Sequence, residues 1–214
     1  METITLKSFP RTQRRKVLLP MDDVETQILD LAKRRFERFG FPKVTMDEIA
    51  KDGRITKKTI YKHFRSKEEL FTRVVIREAL AARAEILQRL GEVQDPLARL
   101  EKLTVTALDY FREERFILKL LEDKDGIFLP FLRPEFVVMV EKETVNLVAD
   151  ILREGIKKGR MRELDEQIAG YVMFKIFQVF TYARTAALPQ TDEDSQHETA
   201  ELLAFLMRAI GNDT

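Results

Sequence analysis

Two helix-start signals stand close together in the first third of the chain. Thr45 followed three residues later by Glu48 forms a capping box, in which each residue's side chain accepts a hydrogen bond from the other's backbone N–H. Thr56 is the next N-cap residue. The spacing leaves room for one short helix and a turn between them, so we predict short helices at about 45–52 and 56–63. Two short helices joined by such a turn form a helix-turn-helix.

Longer helices are predicted on both sides of this pair. Apolar residues step by three or four from about residue 22 until Gly40, which is suited to a helix C-terminus. Ser66 with Glu69 is a second capping box and starts a long connecting helix, predicted at 66–91. The N-terminal part is therefore expected to be a three-helix domain.

The rest of the chain continues the helical pattern and contains no clear strand pattern. Apolar residues recur at helical spacing in five further segments, predicted as helices at 95–111, 116–122, 134–156, 165–188 and 192–210. The expected fold is all-α with about nine helices. We divide the chain into a flexible basic arm at 1–20, a helix-turn-helix domain at 21–70 and a C-terminal helical domain at 71–214.

Composition excludes several classes of protein. The 214 residues include no cysteine, so disulfides, thiolate nucleophiles and cysteine-ligated metals are excluded. The only imidazoles are His63, read as groove-facing or helix-ending, and His197, read as a surface residue. No glycine-rich phosphate loop, nucleophile elbow or other catalytic set is present. No apolar stretch approaches the ~20 residues of a membrane span. We expect a cytoplasmic protein with no catalytic residues, metal or cofactor.

Charge is distributed unevenly along the chain. Residues 1–75 carry a net charge of +7 and residues 76–214 carry −6. A basic N-terminal part favours contact with a polyanion, although charge also fluctuates by chance. The arm at 7–16 could lie in a DNA minor groove or could be a disordered tail that only adds general attraction.

Five sequence motifs together point to a family. They are ILD at 28–30, FERFGF at 36–41, VTMDEIA at 44–50, TKKTIYKHF at 56–64 and SKEEL at 66–70. In these motifs and their separation, the segment from Ile28 to Phe71 resembles the DNA-binding domain of the TetR family of bacterial transcriptional regulators. The resemblance implies a helical C-terminal domain that binds an effector and dimerises.

The helix that begins after Thr56 has the residues that a DNA-reading helix needs. Ile60 and Phe64 lie four residues apart and should face inward, which leaves the basic and polar residues outside. The family resemblance implies phosphate contacts by Tyr61, Lys67 and Thr45. The predicted DNA-binding residues are Thr45, Thr56, Lys57, Lys58, Thr59, Tyr61, Lys62, His63 and Lys67. An ordinary solvated helix face is the alternative.

The turn between the two short helices departs from the family pattern. Family members usually have Ala-Gly there, whereas this chain has Gly53-Arg54. A positive φ at Arg54 would be strained. We therefore expect Gly53 to absorb the turn, with a small shift in the orientation of the recognition helix.

Two helices near the C-terminus carry more apolar surface than one intramolecular contact needs. The resemblance implies that they pair with a second copy in a four-helix bundle, and burial within a monomer is the alternative. The predicted dimer residues are Tyr171, Val172, Val179, Phe180, Leu202, Leu203, Phe205 and Leu206.

Aromatic residues in the middle helices suggest either an effector pocket or an ordinary core. A pocket for a largely hydrophobic or amphipathic effector would be lined by Tyr110, Phe111, Phe116, Phe128, Phe131, Met139, Phe174, Phe177 and Gln178.

The sequence thus predicts a homodimeric regulator of transcription, favoured as a repressor, that binds a palindromic operator in double-stranded DNA and is released by the effector. The alternative keeps the helix-turn-helix but drops the effector, so that the C-terminal domain serves only dimerisation or partner recruitment. An enzyme on this scaffold has no candidate catalytic set.

Overall fold

The chain folds as an all-α protein in the computed structural model. The structure describes residues 23–112, 116, 134–186 and 192–212. These residues form eight helices: α1 Asp23–Phe39, α2 Met46–Asp52, α3 Lys57–His63, α4 Lys67–Leu90, α5 Pro96–Arg112, α6 Pro134–Lys157, α7 Glu166–Ala186 and α8 Asp192–Ile210. Within these ranges no strand occurs, and the one β-bridge joins Met161 to Gly211.

The all-α prediction is confirmed, and the eight helices lie where the sequence places them to within about two residues. The ninth predicted helix, at 116–122, falls outside the described residues except for Phe116, as does the arm at 1–20. Gly40 adopts a φ of 74°, and its N–H donates to the Phe36 carbonyl at 2.9 Å, so α1 ends as expected.

The described residues divide into two compact units. One contains residues 23–78 with 134–139, and the other contains the remainder. In the first unit, α1 to α3 and the start of α4 share a core that includes Ile28, Leu70 and three phenylalanines in mutual contact. The ring centroids of Phe36, Phe41 and Phe71 lie 4.8–5.8 Å from one another. Such aromatic contacts add to the area that the rings bury, and they hold the segment before α2 against α1 and α4.

The second unit has its own apolar core. Its fully buried members come from α4 to α8 and the turn after α6, and include Leu100, Leu152, Met161, Leu206 and Ile210. The Arg162 N–H donates to the Ile210 carbonyl at 3.0 Å, so the end of α8 is tied to the segment between α6 and α7.

Candidate nucleic-acid interface

The start of α2 is closed by the predicted capping box. The Thr45 hydroxyl accepts from the Glu48 N–H at 3.3 Å, and Glu48 Oε2 accepts from the Thr45 N–H and hydroxyl, both at 2.9 Å. These bonds from Thr45 hold the pKa of Glu48 below its ordinary value. Thr45 is exposed, but its own N–H and hydroxyl are already engaged by Glu48.

α3 packs on the first unit through one face only. Thr56 caps the helix by accepting from the Thr59 N–H at 3.1 Å, and the two threonine hydroxyls are 2.9 Å apart. Ile60 and Phe64 are buried, at 0% and 1% exposure, as their spacing predicts. Because both anchors lie on one side, the orientation of α3 is fixed and its opposite side faces outward.

The outward side of α3 carries cations and an aromatic ring. Lys57, Lys58, Tyr61 and Lys62 are exposed, while Thr59 and His63 are half-buried. Lys57 Nζ donates to Asp47 Oδ2 at 2.6 Å, which links the first turns of α2 and α3. That hydrogen bond raises the pKa of Lys57.

Lys67 occupies a different environment from the other predicted contacts. Its ammonium donates to the carbonyl oxygens of Phe41 at 2.9 Å and Val44 at 3.0 Å, and it lies 4.3 Å from the centroid of the Phe41 ring. The Pro42 carbonyl is 3.5 Å away. In the structure, Lys67 therefore holds the segment that leads into α2.

The expectation for the turn between α2 and α3 is wrong. Gly53 has an ordinary φ of −81°, and Arg54 takes the positive value, 51°. The reason is packing, because a Cβ at position 53 would lie 2.6 Å from Leu31 Cδ1 in the core. Gly53 supplies space, and the backbone reversal falls on the next residue.

Sequence reasoning also missed Arg54 as a candidate contact. Arg54 is exposed at the entrance to α3 and is the nearest arginine to the recognition helix on its N-terminal side. The available signal was the run of basic residues from Lys51 to Lys62, which extends beyond the helix itself.

In the second unit, the predicted dimer residues separate by exposure. Tyr171, Val172, Val179 and Phe205 are exposed by 45–65%, as is Ile168, which was not predicted. Phe180, Leu202 and Leu203 are half-buried. Leu206 is 3% exposed because it packs in the core of its own chain. It therefore cannot contact a second copy, and its assignment to the predicted interface is wrong.

The predicted pocket residues are brought together only in part. Phe111 of α5 meets Phe177 of α7 with centroids 5.9 Å apart, and Tyr110 lies 5.3 Å from Phe111. Tyr110 and Phe116 are buried. The side-chain oxygen of Gln178, Oε1, accepts a hydrogen bond from Lys175 Nζ at 3.4 Å.

Phe174, which also lies on α7, is half-buried, and Lys175 Nζ is 5.3 Å from the centroid of its ring. Phe128 and Phe131 lie outside the described residues, and Met139 belongs to the first unit. Thr181 is 5% exposed, and its hydroxyl has no hydrogen-bond partner, the only such buried side-chain atom among the described residues.

The described residues lack two further kinds of feature. They contain no group of three or more histidine or acidic side chains placed to hold a metal ion. Nor does any described helix combine the length and the apolar character needed to span a membrane.

Comparison with known proteins gives consistent matches. A family model described as bacterial regulatory proteins, tetR family, matches residues 28–74. The HTH-type transcriptional regulator YhgD of Bacillus subtilis is 23% identical over 177 residues, covering 81% of this chain and 90% of the relative.

Solved structures share the fold at low identity. A TetR-family regulator from Mesorhizobium loti matches with a TM-score of 0.73 at 19% identity, over 95% of this chain and all of that one. The fatty acid degradation regulator FadR of Bacillus halodurans matches with a TM-score of 0.66 at 18% identity, over 89% of this chain and 95% of FadR.

Proposed function

This chain belongs to the TetR family of transcriptional regulators, and we propose that it is a homodimeric repressor that leaves a palindromic DNA operator when a small, largely hydrophobic effector binds. The observation that carries the DNA-binding part is the exposed side of α3, held outward by the burial of Ile60 and Phe64. A regulator of chromosomal DNA acts in the cytoplasm, which is the location we propose.

The proposed DNA contacts divide by their surroundings. Lys58, Tyr61 and Lys62 are exposed on the outward side of α3 and meet phosphates and base edges directly. Lys57 contacts DNA after exchanging its bond to Asp47. Thr56, Thr59 and His63 lie at the two ends of α3, beside the groove. Thr45 and Lys67 set the position of α2 on the DNA backbone.

Dimerisation is proposed through α7 and α8. The large apolar side chains of Ile168, Tyr171, Val172, Val179 and Phe205 are exposed, and an apolar surface of this kind favours burial against a partner. A two-fold dimer presents two copies of α3, which must reach major-groove segments about 34–36 Å apart. A palindromic operator follows from that symmetry.

The effector site is proposed in the second unit, near the contact between Phe111 and Phe177. Aromatic side chains with few polar groups fit a largely apolar ligand, and the unpartnered Thr181 hydroxyl supplies a polar group in the same helix as Phe177. FadR, one of the structural neighbours, is named for fatty acid degradation. The effector releases the operator only if it binds the DNA-free conformation more tightly.

Selection of duplexes from a random pool by the purified protein tests the DNA-binding function. We expect a recovered palindrome, and K58A/K62A should lose about tenfold or more in affinity for it while retaining a wild-type circular dichroism spectrum. Lys102 is exposed on α5 in the other unit, so K102A is the matched control. Equal affinity of K58A/K62A and K102A would refute the assignment of α3.

Titration of the protein–operator complex with fatty acids and other lipophilic compounds tests the switch. Release of the operator by one of these compounds supports the repressor with an effector. If none binds by calorimetry, the alternative is favoured, in which the C-terminal part serves dimerisation or recruitment of a partner.

A further inference from the structure

Arg54 occupies a backbone conformation that does not suit it. It is the only non-glycine residue with a positive φ among those that the structure describes. In this conformation the Cβ of an L-residue crowds the following carbonyl oxygen, and only Gly, with Asn and Asp to a lesser degree, adopts it readily. Strain of this kind persists where the surrounding structure imposes it, and it clusters at functional sites. The arginine side chain, rather than the backbone, must account for the residue at this position.

The Arg54 side chain has no partner among the residues that the structure describes. It is exposed and makes no hydrogen bond or ion pair with any residue in the described ranges. The nearby carboxylates are already engaged. Asp52 accepts two bonds from Arg35, at 2.5 and 2.7 Å, and Asp47 accepts from Lys57. No contact with a described residue therefore explains the arginine.

The turn extends the basic surface of α3 toward its N-terminus. Residues 51–62 include five basic side chains and a single acidic one, Asp52, which Arg35 neutralises. Arg54 lies two residues before Thr56, the N-cap of α3. Its N–H donates to the Lys51 carbonyl at 3.2 Å, so the backbone of the turn is held and the guanidinium projects from a fixed base.

We propose that the Arg54 guanidinium binds a phosphate of the operator backbone next to the groove that α3 enters. The inference rests on the proposed DNA-binding function and adds a contact that none of the five sequence motifs indicates. A guanidinium offers several N–H donors in one plane and matches two phosphate oxygens at once. A phosphate contact is independent of sequence, so Arg54 contributes affinity and orientation, not choice of bases.

Four variants separate the charge from the backbone strain. R54K keeps the charge, R54Q removes it and retains the strain, and R54G removes both, while K102Q removes an exposed charge far along the chain. Affinity is measured by fluorescence anisotropy on two labelled duplexes, one selected from a random pool by the wild type and one scrambled. The salt concentration is varied on both sides of ~0.1 M, from about 0.05 to about 0.3 M, so that the slope of log affinity against log salt can be measured. Thermal melting checks that each variant is folded.

We expect R54Q and R54G to weaken binding to both duplexes equally, and K102Q to stay near wild type. R54K should keep the wild-type salt slope, because it keeps the charge, with a smaller loss of affinity than R54Q because it loses the bidentate geometry. Loss of one phosphate contact lowers the slope of log affinity against log salt by about 0.9 for each protein copy. Across the roughly sixfold range from about 0.05 to about 0.3 M salt, this difference in slope makes the loss of affinity at the lowest salt about fivefold larger per copy than at the highest.

Two results would overturn the inference while leaving the function intact. One is wild-type affinity and salt slope for both R54Q and R54G, and the other is a loss confined to the selected duplex. The proposed function itself would fail on a different result, namely a wild-type protein that binds neither duplex.

Discussion

Replacement of Lys67 by methionine distinguishes a positioning residue from a phosphate contact. Methionine keeps the length and apolar stem of lysine but removes the ammonium that donates to the carbonyl oxygens of Phe41 and Val44. The two carbonyls then lose a charged donor at once. Because they precede α2, the start of the helix-turn-helix loses its connection to α4.

The magnitude follows from the two close contacts. A hydrogen bond from a charged donor contributes about 1.5–3 kcal/mol, and a cation over an aromatic ring adds about 0.5–1 kcal/mol when water still reaches the cation. Lys67 is half-buried, so water can replace part of what is lost. We therefore expect K67M to lower the free energy of unfolding by roughly 2 kcal/mol, which for a chain of this size lowers Tm by about 4–8 °C.

Urea unfolding followed by circular dichroism measures this change. The matched control is K43M, since Lys43 is exposed in the same segment, and substitutions of this kind stay within about 0.5 kcal/mol. If K67M is as stable as K43M but lowers DNA affinity and its salt slope, the ammonium contacts phosphate and the positioning role is refuted. A loss of stability with an unchanged salt slope supports the positioning role.

Four further predictions follow from the structure. R54G should raise the free energy of unfolding by about 1 kcal/mol, and R54A should not, because alanine at positive φ stays strained. Thermal melting curves measure the two variants, and an equal gain in stability would contradict the backbone explanation. L206A should cost about 2–5 kcal/mol by leaving a core cavity, measured by urea unfolding. F205S should leave the fold intact and shift the dimer toward monomer in analytical ultracentrifugation. Hydrogen bonds from Thr45 lower the pKa of Glu48 in the folded state. The contribution of Glu48 to the free energy of unfolding is therefore full above the ordinary carboxyl pKa of about 4.3 and is lost as pH falls. E48Q should weaken this pH dependence of the free energy of unfolding, which acid unfolding curves measure.

Local signals in the sequence predict the helix-turn-helix well. The cap at Thr45 with Glu48, the cap at Thr56 and the inward pair of Ile60 and Phe64 all depend on residues within four positions of each other. Interactions over such short separations are determined by the sequence itself, so their geometry can be read before the fold is known.

Contacts between distant residues account for what the sequence does not reveal. The Lys67 ammonium meets carbonyl oxygens 23 and 26 residues earlier, and backbone acceptors leave no trace in a motif. Leu206 sits in a helix whose apolar residues cover a wide surface, and periodicity alone cannot separate the part that faces its own core from the part that faces outward.

The turn at Gly53-Arg54 shows how two local preferences are settled by a third residue. Glycine is the better residue for a positive φ, which by itself would place the reversal at Gly53. A Cβ at that position would lie 2.6 Å from Leu31 Cδ1, so a side chain there would require the buried Leu31 to shift, and glycine avoids this. The reversal then falls on Arg54, whose charge faces outward beside Lys57 and Lys58. Core packing thus favours glycine at position 53, and the strain left at the next residue fits a role for the arginine outside the fold, which we propose is at the DNA backbone.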